Sequence, residues 1–324
     1  MLIETPDGHQ IDAQLWDLIK GNWTTVPQLD WDSFDANTVA TFRREAEDAR
    51  KDKRRAGPNI ARIQDMLADG YKRQTPVRLY DPAPENNAAP CVIYFHGGGW
   101  FGGDIESRDD GTRLLAHLSG AKVISVDYAR APEAKFPVPL YDCIAVTKWV
   151  VQSADTLGVN PAKLFVAGDS AGANLALSTA ISLRDDGYHD VAGMLLFYGV
   201  YAHDHNTDSH RTFGADERFT LSSAAMDFCW QMYLPNPADN QNPLAAPLLA
   251  PLHDLPPAHI MCGSLDPLLD DTKQLQDALT AQNNPDCALT IYPGVTHRFL
   301  SMISQLDCTT KAWEDAASFI RTRL

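Results

Sequence analysis

Lys163-Leu-Phe-Val-Ala-Gly168-Asp-Ser-Ala-Gly-Ala-Asn-Leu-Ala-Leu-Ser-Thr-Ala-Ile-Ser-Leu183 is the stretch on which the fold of this 324-residue chain turns. Its first five residues are a short apolar run, the pattern of a buried strand, and its last eleven are small residues and helix formers. Between them stands Gly168-Asp169-Ser170-Ala171-Gly172, a Gly-x-Ser-x-Gly pentapeptide at a strand-to-helix break. The tight turn predicts a strained backbone at Ser170, and side chains at 168 and 172 would collide with neighbouring segments. The Ser170 hydroxyl is then expected to project above a sheet, beside the positive end of the following helix.

Outward from this turn, Cys91-Val-Ile-Tyr-Phe95 and Lys122-Val-Ile-Ser-Val126 read as buried strands, and Val77 to Tyr80 alternates like another. Further strands are expected at 163–167, 193–199, 258–262 and 288–292. Helical patterns at 140–154, 171–183 and 271–279 lie between several of them. Repeated β-α units of this kind predict a mostly parallel sheet sandwiched between helices.

Two regions depart from that rhythm. Residues 1 to about 70 read as helical and amphipathic. Ile11, Leu15, Trp16, Leu18 and Ile19 mark one face, a second helix starts near Ser33 or Asp35, and a short helix is expected over Ile60 to Leu67. The mixed charges from Arg43 to Arg55 fit a solvated helix face better than a basic docking patch. After the strand ending at Gly199, about fifty residues pass before the next one, a length typical of functional excursions. They carry Phe213, Phe219, Phe228, Trp230, Met232 and Tyr233, with helices near 221–233, and read as a lid or binding region.

Composition narrows the function. With 42 acidic residues against 27 Lys and Arg, the net charge of −15 argues against nucleic acid and anionic membrane surfaces as partners. No apolar run is long enough to predict a transmembrane helix, and the first residues lack the pattern of a signal peptide. The six cysteines include no Cys-x-x-Cys pair, so a reduced, cytoplasmic setting is expected.

A nucleophilic serine needs a base, an acid that orients the base, and donors for the developing oxyanion. His297, in a loop just past a late strand, supplies the base and completes a Ser, Asp, His chain order. Asp266, after the strand ending at Cys262 and the turn Gly263-Ser264, is the favoured acid. Asp270 and Asp271 compete but look better placed as the first residues of a helix. His96-Gly-Gly-Gly-Trp100 follows a strand directly, and its glycines leave N–H groups free to point at one spot. Gly98 and Gly99 are the expected donors there, joined by the Ala171 N–H of the turn. His96 is expected to anchor this loop rather than transfer protons. The lack of a following Lys-Ser/Thr excludes a P-loop. His203, Asp204, His205, Asp208 and His210 lack the spacing of a zinc site and read as a polar loop, so no metal is expected.

Taken in order, His96-Gly-Gly-Gly-Trp, Asp127-Tyr-Ala-Arg-Ala-Pro-Glu133, Gly-Asp-Ser-Ala-Gly, Asp266-Pro-Leu and the late His297 resemble the hormone-sensitive-lipase-like (bacterial family IV) carboxylesterases of the α/β-hydrolase superfamily. The resemblance spans about residues 76 to 324. It implies an eight-stranded, mostly parallel sheet with helices on both faces and a helical cap. The expected division is a cap segment over 1–70, a core over 71–200 and 246–324, and a cap insertion over 201–245. It also implies Ser170 as nucleophile, His297 as base, Asp266 as acid, and Gly98, Gly99 and Ala171 as the oxyanion hole. The chain departs from the family in having Ala129-Arg130 where Arg-Leu is frequent, and Ala173 where Gly is frequent; neither touches a catalytic atom.

The expected activity is hydrolysis of short-chain acyl esters, acetyl to butyryl, through an acyl-enzyme, with no cofactor. Trp100 and Phe213 are expected to restrict the substrate pocket. Cleavage of amides or longer lipid esters and ligand binding without turnover remain the alternatives, and the oligomeric state stays open.

Overall fold

The computed structural model describes all residues except 25–30, 34, 52–56, 189–190 and 285. A hairpin of β1 (Leu2–Glu4) and β2 (Gln10–Asp12) leads into α1 (Ala13–Ile19), and α2 (Ala36–Lys51) follows. The Asp12 carboxylate caps α1 by accepting from the Gln14 and Leu15 N–H groups. The main sheet comprises β3 (Arg62–Asp69), β4 (Gln74–Asp81), β5 (Ala89–Phe95), β6 (Lys122–Val126), β7 (Val159–Asp169), β8 (Val191–Phe197), β9 (Ala258–Leu265) and β10 (Cys287–Thr296). Their order is β10-β9-β8-β7-β5-β6-β4-β3. The pairings β3–β4 and β4–β6 are antiparallel and the rest parallel, so the mostly parallel eight-stranded sheet expected from the sequence is present.

Both faces of the sheet are covered. α3 (Asp109–Ser119) and α10 (Asp307–Arg321) lie on one face; α4 (Val138–Gln152), α6 (Ala171–Asp185) and α9 (Leu269–Ala281) lie on the other. The alternation of β5 divides its side chains between the two cores. Cys91, Ile93 and Phe95 join α4 and α6, while Val92 and Tyr94 join α3 and α10. Every one of these side chains is buried, which is why the strand reads as a continuous apolar run. α5 (Ala154–Leu157) is a single turn before β7.

The segment over 60–67, expected to be helical, is instead the edge strand β3, so the sheet begins before residue 71. Its register with β4 is uninterrupted from Arg62↔Asp81 to Asp69↔Gln74. As an edge strand it buries only Ala68 among its eight residues, and so lacks the strict alternation that marks a half-buried strand. Cross-strand charges stabilise the pairing instead: Arg62 bonds Asp81, and Arg78 bonds Asp65. In the charged run, Arg50 pairs with Asp104, while residues 52–56 lie outside the described residues.

The excursion after β8 forms α7 (Asp208–Phe213) and α8 (Ser223–Tyr233). The N-terminal segment packs against it. Trp31 Nε1 donates to Glu217 at 2.9 Å, Arg218 pairs with Asp7 at 2.6 Å, and the His9 ring meets Phe213 and Phe219. The two stretches that broke the β-α rhythm are therefore in mutual contact.

Candidate active site

β7 ends at Asp169 and α6 begins at Ala171, leaving Ser170 alone at the break with φ 54° and ψ −120°. A non-glycine residue held there costs on the order of 1–3 kcal/mol and persists only where its surroundings enforce it. The enforcement is visible in the flanking glycines. A Cβ at Gly168 would sit 2.3 Å from the Gly172 carbonyl oxygen, and one at Gly172 would sit 2.0 Å from that of Phe95. The collisions anticipated from the pentapeptide are therefore with backbone, which cannot swing away.

Ser170 Oγ lies 3.0 Å from His297 Nε2. His297 Nδ1 lies 2.9 and 3.1 Å from the two oxygens of Asp266. An ionised carboxylate only accepts, so Nδ1 carries the proton and Nε2 presents a lone pair to the serine hydroxyl. All three side chains are buried. The acid sits at the end of β9, where Asp266 Oδ1 also accepts from Leu268 N–H at 2.9 Å. Asp270 instead accepts from Ser209 N–H at 2.8 Å and pairs with Lys273. Asp271 accepts from the N–H groups of Tyr201 and Ala202, and burial pushes its carboxyl up to about 7. Of the three carboxylates, Asp266 is the one that reaches His297.

The glycine loop after β5 lies beside this group. Gly98 has φ 133° and Gly99 has φ 60°, both in the region that favours glycine. A Cβ on Gly99 would meet Cys229 Sγ of α8 at 2.4 Å. Among the described residues, no acceptor engages the N–H of Gly98, Gly99 or Ala171, and Ala171 heads a helix whose first N–H groups have no partner within it. These donors remain available to a ligand. His96 is buried, stacks on Tyr128 at 4.3 Å, and contacts Gly97 O through Nδ1 at 3.1 Å. Burial lowers its pKa to about 3, so it is neutral and structural in character.

Sequence reasoning missed what holds the loop. Asp169, the second residue of the pentapeptide, is fully buried and accepts from Arg108 Nε and Nη2, Tyr94 OH and Gly97 N–H at 2.7–3.0 Å. Burial alone would raise its pKa, but Arg108 and these hydrogen bonds outweigh it and hold the carboxyl below the ordinary value. Tyr128 OH donates to His96 O at 2.7 Å, and Thr220 Oγ1 donates to His297 O at 2.6 Å. Asp169 and Tyr128 stood inside motifs that were read, but nothing in the sequence points to Arg108, Tyr94 or Thr220.

Trp100 needs correction as a pocket wall. Its ring has no exposed surface, stacks on Tyr233 at 4.4 Å and 4°, and abuts Trp230 at 4.6 Å. It fastens the glycine loop to α8 and shapes the site from behind. Phe213 packs against His9 and Phe219, at the junction of the N-terminal segment with the insertion. The histidines of the insertion form a column, His203 on His205 and His205 on His210, whose ring centroids are 5.9 and 5.1 Å apart. Asp208 pairs with Arg211, and among the described residues no three of these side chains converge as metal ligands.

Comparison with known proteins adds independent findings. Residues 92–301 match the family described as the alpha/beta hydrolase fold. An acetyl esterase of Salmonella paratyphi A is 35% identical over 250 residues, 76% of each chain. The structure of a hyperthermophilic esterase from the archaeon Pyrobaculum calidifontis superposes with a TM-score of 0.89 at 32% identity, covering 96% of this chain and 98% of that one. A thermophilic carboxylesterase cloned from a metagenomic library gives a TM-score of 0.85 at 35% identity, over 88% and 97%.

Proposed function

This chain belongs to the alpha/beta hydrolase family, in its hormone-sensitive-lipase-like branch, and from that premise we propose that it is a serine carboxylesterase acting on short-chain acyl esters. The observation that carries the reading is the hydrogen-bonded series Ser170–His297–Asp266 at a strained strand-to-helix turn, beside three unclaimed N–H groups.

In this mechanism Ser170 Oγ attacks the ester carbonyl while its proton passes to His297 Nε2. Asp266 holds the imidazole in the tautomer that accepts it and stabilises the imidazolium. The oxyanion accepts from the N–H groups of Gly98, Gly99 and Ala171, which need no reorganisation as charge develops. Collapse breaks the bond to the alcohol oxygen, which takes the proton from His297. Water then attacks the acyl-enzyme, loses a proton to the same nitrogen, and releases the carboxylic acid and free Ser170.

The acetyl-to-butyryl range follows the acetyl esterase relatives. Contacts between the N-terminal segment and the 201–245 insertion support a shared cap over the core. Among the described residues no helix is long and apolar enough to cross a membrane. The six cysteines are free, four of them buried, which fits the cytoplasmic location included in this proposal.

The test is a rate series on p-nitrophenyl esters from acetyl to decanoyl, with Ser170→Ala as control. Wild type should peak at the short esters, and the folded variant should lose about 10⁴-fold or more in kcat. Near-unchanged turnover by Ser170→Ala would sink the mechanism, and a maximum at long chains would sink the substrate range.

A further inference from the structure

The turn that follows the proposed acid is held from a distant part of the chain. Ser209 Oγ donates to the Pro267 carbonyl at 2.6 Å and accepts from the Asp270 N–H at 3.1 Å. The Ser209 N–H donates to Asp270 Oδ2 at 2.8 Å. These bonds join residues 58 to 61 positions apart, and Ser209 is buried. A hydroxyl donates once and can also accept, so both bonds of Oγ form together. Ser209 stands in the first turn of α7, inside the insertion after β8. The next residue, His210, is also buried, with Nε2 4.0 Å from Asp271 Oδ1. Asp271 Oδ2 in turn accepts from the N–H groups of Tyr201 and Ala202. Pro267, Asp270 and Asp271 therefore all bear on the segment 201–210.

The Pro267 carbonyl is where such a hold reaches the acid. Asp266 sets both oxygens toward His297 Nδ1, at 2.9 and 3.1 Å, so its side chain must leave the backbone in one direction. A proline has no N–H, and its carbonyl is the one backbone group by which it can be tied. Its ring also locks φ, so only the ψ angles of Asp266 and Pro267 separate the Asp266 Cα from the anchored oxygen. Fixing that oxygen restricts both angles. The local bonds of the turn, from Leu268 N–H to Asp266 Oδ1 and from Leu269 N–H to Asp266 O, leave the Pro267 carbonyl to Ser209.

We propose that Ser209 is a positioning residue for the esterase reaction: it ties the insertion to the turn after Asp266 and so holds that carboxylate against His297. This rests on the reading of Asp266 as the acid of a serine esterase. The insertion then acts on turnover through the acid, without needing to touch substrate at this point.

The experiment measures kcat and KM on 4-nitrophenyl acetate for wild type, Ser209→Ala, Asp266→Asn and the double variant, each checked for folding by circular dichroism. Ser209→Ala should lower kcat by about 10- to 100-fold with KM little changed, the upper figure being the cost of a misplacement of about 1 Å. Asp266→Asn should lower kcat by about 10⁴-fold. Adding Ser209→Ala to it should cost less than about 2-fold more, because residues that act as one unit are not additive. Should Ser209→Ala fail to fold, Asp270→Ala replaces it, since that side chain is 21% exposed and its loss frees the Ser209 N–H. It should show the same separation of kcat from KM and the same dependence on Asp266. A folded variant with kcat within about 2-fold of wild type, a loss carried mainly by KM, or an equal fold-loss in the Asp266→Asn background each overturns the inference and leaves the esterase reading standing. Wild type that hydrolyses no ester overturns both.

Discussion

Replacing Asp169 by Asn should damage both stability and turnover. Asp169 has no exposed surface, and its two oxygens receive four hydrogen bonds: Arg108 Nε at 2.8 Å, Arg108 Nη2 at 2.7 Å, Tyr94 OH at 2.9 Å and Gly97 N–H at 3.0 Å. Asn has nearly the same shape but removes the charge, and it sets its own NH₂ donor against Arg108 Nη2. Arg108 is itself mostly buried, so it is left as an uncompensated cation. Breaking one side of a buried pair costs about 3–5 kcal/mol. The Gly97 N–H bond matters for chemistry because the next two residues, Gly98 and Gly99, carry the proposed oxyanion donors. Complete loss of one such donor costs about 10²–10³ in kcat. A displaced loop should therefore lower kcat by about 10- to 100-fold, with a smaller change in KM. Urea unfolding gives the first quantity, and steady-state kinetics on 4-nitrophenyl acetate at a temperature where the variant is fully folded give the second. Asp169→Asn combined with Arg108→Met removes both charges and should recover stability relative to Asp169→Asn alone. A folded Asp169→Asn within about 1 kcal/mol of wild type would refute the ion-pair reasoning, being below the range for a broken buried pair. An unchanged kcat would refute its link to the glycine loop.

Other perturbations test the packing around the turn and the buried histidines. Gly172→Ala places a Cβ 2.0 Å from Phe95 O, so it should cost more than the usual 1–3 kcal/mol of overpacking, or yield no folded protein by circular dichroism. Gly120→Ala, whose Cβ meets nothing within 4 Å but whose φ is +73°, should cost only about 1–2 kcal/mol in the same melt. His96, His210 and His259 are held neutral by burial, with pKa values lowered to about 3, 4 and 4. The unfolded chain binds protons at these sites below about pH 6.5 while the native state does not. Stability should therefore fall as pH drops from about 6.5 toward 4, by up to about 1.4 kcal/mol per pH unit for each group. His259, remote from the proposed site, isolates one contribution: His259→Gln should flatten the slope of Tm against pH, and an unaltered slope would show that His259 protonates as freely in the native state as in the unfolded one.

The chemistry-bearing part of this protein was legible because it is local in sequence. A strand, a Gly-x-Ser-x-Gly turn and a helix are contiguous, and Gly168 is dictated by the carbonyl oxygen of Gly172 in the same turn, whereas Gly172 is dictated by that of Phe95 on the neighbouring strand β5. The late acid and base were legible for a related reason, since each sits at the end of a strand whose apolar run marks it. The identity of the acid was narrowed only by position, and the 2.9 Å contact of Asp266 with His297 distinguishes it from Asp270 and Asp271. What the sequence could not yield depends on pairing between distant segments. β3 belongs to the sheet because β4 accepts it along its whole length, although its exposed, charged residues carry no strand period of their own. Trp100 suggested a pocket wall, and only α8, folding back across more than a hundred residues of chain, turns it into a buried anchor. Asp169 could be read as part of a motif, but its work requires Tyr94, Gly97 and Arg108, which tertiary structure alone brings to it. Sequence by itself determined the strand-turn-helix and the chain order of the reacting groups, because short-range sterics and hydrophobic periodicity are written residue by residue. Tertiary structure decided which buried charges meet, because partners 61 and 75 residues apart in the chain leave no periodic trace of their contact.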